Sequence, residues 1–124
     1  MEHSGNFRLT AYAKGKLVLP LLLRRGLGLV PGDLLCLEDS GTAVGIQIYR
    51  EIFARRWEFV PRETRWMNVE MFLSETLAAM DEHGALVMPE EVLEVRKGET
   101  YALVAFRCSD RHVLFLEREP LNVN

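Results

Sequence analysis

Short apolar runs separated by turns rich in glycine, proline and aspartate make up most of this chain. Four runs in the first half have the length and partial alternation of β-strands: residues 7–12, 16–19, 34–38 and 43–49. A short helix is predicted at residues 21–26, because Pro20 can open a helix and the glycines that follow can end one. The first half is therefore predicted to form a ββαββ module.

The same order of elements returns in the second half. A shift of 69 residues superimposes both glycines, both Leu-Val pairs and both prolines of residues 15–20 and 84–89. Such a repeat dictates architecture. It predicts strands from Thr76, at 85–88, at 101–106 and at 113–116, with a helical turn at 89–93. One 45-residue module cannot bury enough apolar surface to be stable alone, so we expect two modules to close one core, within a chain or between chains.

The resulting organisation has an N-terminal module at 1–50, a linker at 51–75 and a more degenerate module at 76–124. Asn68 is a candidate N-cap for a linker helix that runs to about Glu75. Helical periodicity favours a longer helix, but the repeat favours a strand from Thr76. The linker's arginines and tryptophans either extend a basic surface or pack the linker onto the barrel: Arg55, Arg56, Trp57, Arg62, Arg65 and Trp66.

Composition and charge narrow the class of protein. The 124 residues suffice for one modest domain, and no apolar run approaches the length of a membrane span. The net charge of −3 divides into +3 for residues 1–66 and −6 for residues 67–124. The polar N-terminus has no signal-peptide core, so we expect a cytoplasmic protein. Cys36 and Cys108 are expected to be buried thiols.

No catalytic or cofactor motif is recognisable. The histidines and cysteines lack the spacing of zinc ligands, and there is no nucleophile elbow, phosphate loop or dinucleotide fingerprint. The acidic pairs at 81–82 and 90–91 fall at turn and helix-start positions, where negative charge is favourable for structural reasons. We therefore predict no metal, no cofactor and no enzymatic activity.

Residues 14–20, Lys-Gly-Lys-Leu-Val-Leu-Pro, are followed by Arg24 and by Gly-Leu-Val-Pro-Gly-Asp at 28–33. This series resembles the AbrB/SpoVT family of swapped-hairpin DNA-binding domains, most clearly over residues 7–50. Two copies in one chain are similar to the tandem, MraZ-like branch. An Asp-x-x-x-Arg signature of that branch is intact in neither copy, which have Tyr12 with Lys16 and Asp81 with Ala85. The resemblance implies a mostly β, short-α pseudo-twofold barrel that binds double-stranded DNA and forms dimers or higher oligomers. It also implies association with the nucleoid.

Transferred onto this chain, the resemblance implies five DNA-binding residues: Arg8, Lys14, Lys16, Arg24 and Arg25. Arg8 and Lys16 on adjacent strands, with Lys14 between them, form the kind of cluster that a β-ribbon reader of DNA requires. The alternative is an ordinary solvated face. Arg24 and Arg25 either contact phosphate or pair with Asp33 or Glu38. The matching positions of the second module offer little positive charge: Leu77, His83, Ala85, Leu93 and Glu94.

Two functions follow from these patterns. The first is a DNA-binding transcriptional regulator that contacts DNA mainly through its basic N-terminal module. The second is a protein-interaction or oligomerisation module, antitoxin-like, that has lost DNA binding. The net negative charge and the degenerate second copy favour the second function, whereas the basic residues and the resemblance favour the first.

Overall fold

Eight antiparallel strands form one sheet in which strands of the two halves of the chain are interleaved, mostly as adjacent pairs. The computed structural model describes residues 2–39, 41–52, 76–108 and 111–119. The elements are β1 (Glu2–Tyr12), β2 (Lys16–Val18), α1 (Leu21–Leu27), β3 (Leu34–Asp39), β4 (Val44–Ile48), β5 (Leu77–Ala79), β6 (Ala85–Val87), β7 (Thr100–Cys108) and β8 (Arg111–Arg118). The order in the sheet is β5-β3-β4-β8-β7-β1-β2-β6. The edge strands β5 and β6 also contact each other, so the sheet is nearly closed into a barrel.

The sequence repeat has a counterpart in the backbone hydrogen bonds between the two halves. The amide of Leu19 donates to the carbonyl of Gly84 at 2.9 Å, and the amide of Met88 donates to the carbonyl of Gly15 at 3.0 Å. A shift of 69 residues converts the first bond into the second. Pairing across the halves is also reciprocal, because β1 pairs with β7 and β3 pairs with β5. The halves therefore share one hydrogen-bonded sheet.

Alternating inward side chains from both halves fill the interior of the sheet. Leu17, Ile48, Tyr101 and Leu103 are completely buried. Among the residues that the structure describes, no charged or polar residue is buried in this core. Burial of this shared apolar surface is the main stabilising contribution, which neither half could supply alone.

The predicted strands are present, and three of them extend well beyond their predicted bounds. β1 begins at Glu2 rather than at residue 7, because it pairs with β7 over most of its length. β7 and β8 exceed the predicted 101–106 and 113–116 because they pair along their whole length. The strand predicted from Thr76 is present as β5, which begins at Leu77.

The helical segments of the two halves differ. α1 continues through Gly26 and ends before Gly28, whose φ of 66° is left-handed. In the second half, the amide of Leu93 donates to the carbonyl of Pro89 at 3.1 Å, which closes only a single turn. The segment from that proline to the following turn is three residues shorter than in the first half, so there is no room for a longer helix.

Residues 49–52 are helical, and the Glu51 carboxylate accepts a hydrogen bond from the backbone amide of His112 at 2.8 Å. The predicted linker helix, the linker arginines and tryptophans and most of the predicted 109–111 loop lie outside the described residues. Cys36 is buried in β3 as a thiol, and the side chain of Cys108 is not described. Among the described residues, no helix is long and apolar enough to cross a membrane.

Candidate nucleic-acid interface

The turn between β1 and β2 holds Lys14 in a rarely populated backbone conformation. Lys14 has φ 65° and ψ 30°, and it is the sole non-glycine residue with positive φ in the described part of the chain. A left-handed conformation costs an L-residue about 1–2 kcal/mol. Such strain is often found at functional positions, where the surrounding structure enforces it.

Contacts with the second half hold this turn in place. The Gly15 carbonyl accepts the amide of Met88, and a Cβ on Gly15 would lie 3.2 Å from the Met88 carbonyl oxygen. Gly15 itself has φ 72°, so it too requires the freedom of glycine. The exposed side chain of Lys14 is therefore carried by a fixed backbone and not by a loose loop.

Three side chains form a row across the outer face of β1, β2 and β6. Tyr12 is directly opposite Lys16, and Lys16 is directly opposite Val87. Residues paired in this way project from the same side of a sheet. Their neighbours Leu17 and Leu86 are buried on the inner face, whereas Tyr12 is 52% and Val87 53% exposed. We call Tyr12, Lys16 and Val87 the outer row.

Arg8 lies on β1 four residues before Tyr12, which is about 13 Å along the strand. Because side chains alternate between the two faces of a strand, Arg8 is on the same outer face as Tyr12. Its guanidinium pairs with the Glu119 carboxylate at 3.0 Å, and its side chain is 71% exposed. Exposed ion pairs contribute at most about 1 kcal/mol. Arg8 can therefore exchange Glu119 for a phosphate oxygen at small cost.

Arg24 is engaged with the protein itself. Its Nε donates to the carbonyl of Leu19 at 2.9 Å. Its guanidinium lies against Gly84 so closely that a Cβ there would be 2.5 Å from Nε and Cζ. Asp33, one of the two expected acidic partners, pairs with Arg50 at 3.4 Å. Arg24 therefore joins α1 to the turn of the second half.

Arg25 is exposed on α1, and no described contact brings it to the outer row. Of the matching positions in the second half, Ala85 is buried and His83 is exposed beside Glu82. The structure thus groups Arg8, Lys14 and Lys16, gives Arg24 a structural contact and leaves Arg25 apart from them.

The equivalent turn of the second half is held by the carboxylate of Asp81. Asp81 Oδ1 accepts the amides of Ala85 and His83 at 2.9 and 2.8 Å. The hydrogen bond from Ala85 is the largest cause that lowers the pKa of Asp81, with smaller contributions from His83 and the charge of Lys16. The 69-residue shift places Tyr12 at this position, so the first turn lacks the carboxylate and uses the left-handed Lys14 instead.

The structure adds one cation that the sequence analysis missed. The amide of Gly98 donates to the carbonyl of Ala11, and the amide of Ala11 donates to the carbonyl of Glu99, both at 2.9 Å. Lys97 precedes Gly98 in the chain, and Tyr12 follows Ala11. These hydrogen bonds therefore bring the backbone of the exposed Lys97 close to Tyr12. Only the fold reveals this proximity, because the residues are more than 80 positions apart. We call Arg8, Lys14, Lys16 and Lys97 the basic face.

No protein-family model and no curated protein sequence matches this chain. One solved structure with similarity is the solution structure of PHS018 from Pyrococcus horikoshii. The match covers 98% of this chain and 100% of that chain, with 17% sequence identity and a TM-score of 0.43. Similarity at this level carries no argument about function.

Proposed function

We propose that this protein is a DNA-binding transcriptional regulator of the AbrB/SpoVT type, and that it contacts double-stranded DNA through the basic face. The observation that carries the proposal is Lys14, an exposed cation in a strained backbone conformation on a turn that the second half holds in place. A lysine that served only solubility would gain nothing from this strain, and glycine would be the more stable residue there.

The connectivity supports the family part of the proposal. In a swapped-hairpin barrel, strands of one module pair with strands of the other, and β1–β7 and β3–β5 are such pairs. The reciprocal bonds of Leu19 with Gly84 and of Met88 with Gly15 are those that a pseudo-twofold axis would generate. We propose that the two ββαββ modules form such a barrel within one chain.

The charge of the basic face limits how tightly one copy can bind. Each phosphate contact changes the slope of log affinity against log salt by about 0.9, so four contacts would give a slope of about −3.6. Glu119 beside Arg8 and Asp81 near Lys16 reduce the effective positive charge. We therefore propose that the protein self-associates, so that more than one copy binds each DNA site.

The test uses fluorescence anisotropy with a generic 20-base-pair duplex across a salt series. Lys14→Ala should weaken binding and reduce the salt slope by about 0.9, because one phosphate contact is lost. Lys14→Gly should weaken binding equally and also stabilise the fold by about 0.5–1 kcal/mol, because the strain is removed at some entropic cost. Arg107→Ala is the matched control, since it removes one positive charge near the C-terminal end of β7, whereas Lys97 of the basic face precedes the N-terminal end of that strand.

A variant that raises stability and lowers DNA affinity separates a binding role for Lys14 from a structural role. If wild-type protein shows no salt-dependent binding at low salt, the proposed function is wrong. If binding occurs but both Lys14 variants bind as wild type does, the basic face is not the contact surface.

The second candidate is a protein-interaction or oligomerisation module. Leu21 and Leu22 on α1 are 50% and 77% exposed, and large exposed apolar side chains on one short helix favour contact with another protein surface. Concentration-dependent sedimentation, together with no DNA binding at any salt concentration, would favour this function over the first.

A further inference from the structure

We infer that Tyr12 and Val87 determine sequence preference by contacting thymine methyl groups in the major groove, while Lys14 and Lys97 contact phosphates. This inference rests on the proposed DNA binding and goes beyond it, because it separates the residues that select sequence from those that supply affinity. It starts from the outer row, in which an aromatic and an aliphatic side chain flank Lys16.

The dimensions of the outer row suit the major groove. Neighbouring strands lie about 4.8 Å apart, so the outer row spans about 10 Å from the backbone of β1 to that of β6. The major groove is about 12 Å wide and admits a two-stranded β-ribbon, so β1 and β2 can enter it while Val87 on β6 lies at its edge. Lys14 at the fixed turn and Lys97 beside Tyr12 are placed to meet the phosphates that border the groove.

The chemistry of Tyr12 and Val87 selects thymine. Both side chains are about half exposed, and water contact with their apolar atoms is unfavourable. The thymine methyl is the apolar group that the base pairs display in the major groove. Stacking on bases of a single strand would use Tyr12 but not Val87, whereas methyl contact uses both members of the outer row.

Tyr12 also differs from its counterpart in the second half. Asp81, at the matching position, uses its carboxylate to close its own turn through the amides of His83 and Ala85. A tyrosine cannot make those bonds, and the Tyr12 side chain is 52% exposed. Contact with DNA gives this side chain a role that the fold does not require.

The experiment compares two 20-base-pair duplexes that differ only in methyl groups, one of alternating dA and dT and one of alternating dA and dU. Burial of one methyl group corresponds to about a threefold to fourfold change in affinity. Wild-type protein should therefore bind the thymine duplex at least about threefold more tightly. Tyr12→Ser and Val87→Ser should each move this ratio towards one.

Two controls make the result specific. Val30→Ser changes a valine of similar exposure, 58%, in the loop before β3, and it should leave the ratio unchanged. Lys14→Ala should weaken binding to both duplexes equally, which also leaves the ratio unchanged. Far-UV circular dichroism establishes that the serine variants remain folded.

The outcomes distinguish this inference from the proposed function. Equal affinity of wild-type protein for the two duplexes, with binding still salt-dependent, overturns the role of thymine methyl groups and leaves the DNA-binding proposal intact. A ratio that persists in both serine variants overturns the assignment to Tyr12 and Val87. Absence of binding to either duplex overturns the proposed function itself.

Discussion

The contact between Arg24 and Gly84 can be tested by adding a single methyl group. Gly84 has φ 78°, so Gly84→Ala introduces left-handed strain of about 1 kcal/mol. The new Cβ would also lie 2.5 Å from the Nε and Cζ atoms of Arg24. The guanidinium must move and lose its hydrogen bond to the Leu19 carbonyl, which costs about 1 kcal/mol more. We expect Gly84→Ala to destabilise the fold by about 2 kcal/mol.

Gly98→Ala provides the matched control. Gly98 has φ 88°, and a Cβ there would meet no heavy atom within 4 Å. This variant therefore experiences the backbone strain alone, about 1 kcal/mol. The alanine reduces the entropy of the unfolded chain similarly in both variants, so this contribution cancels in the comparison. The difference of about 1 kcal/mol between the two variants measures the displacement of Arg24.

A double-mutant cycle with Arg24→Ala isolates the same contact. Urea denaturation followed by far-UV circular dichroism provides the free energy of unfolding of each variant. In the Arg24→Ala background, Gly84→Ala should cost only about 1 kcal/mol, which corresponds to a coupling energy of about 1 kcal/mol. Equal costs for Gly84→Ala and Gly98→Ala in wild-type protein, or no coupling in the cycle, would refute the argument.

Two further predictions concern charge. Glu119→Gln should raise DNA affinity and make the salt slope steeper by up to about 0.9, because Arg8 loses its competing partner; unchanged anisotropy titrations would contradict this. The pKa of Asp81 is lowered in the folded protein, so its charged carboxylate stabilises the fold at pH values above the ordinary pKa of 3.8. This stabilisation is lost as the pH falls through the lower pKa of the folded state. Asp81→Asn should therefore be less stable than wild type in urea titrations at pH 6, and the difference should narrow at pH 3; a constant difference would count against this explanation.

The repeat was the most informative part of the sequence. Glycine and proline impose backbone conformations that depend mainly on neighbouring residues, so Gly15 with Pro20 and Gly84 with Pro89 mark the same local path twice. The repeat predicted a strand from Thr76 where periodicity favoured a helix, and β5 confirms that part of the prediction.

The candidate interface was only partly predictable. Arg8, Lys14 and Lys16 lie within nine residues of one another, so short-range geometry was enough to group them. Arg24 was also expected at the interface, but its hydrogen bond to Leu19 and its packing on Gly84 give it a structural contact. That contact depends on a turn 60 residues away, which no local pattern encodes.

The sequence by itself determined which segments become strands and turns, because alternation, glycine and proline act over a few residues. The tertiary structure alone decided how far the strands extend, since β1 and β7 lengthen by pairing with each other. It also decided which distant segments lie side by side, because hydrogen bonds of Gly98 and Glu99 with Ala11 bring the backbone at Lys97 close to Tyr12. Such proximity arises when distant strands pair to bury a common core, and it is therefore a property of the whole chain.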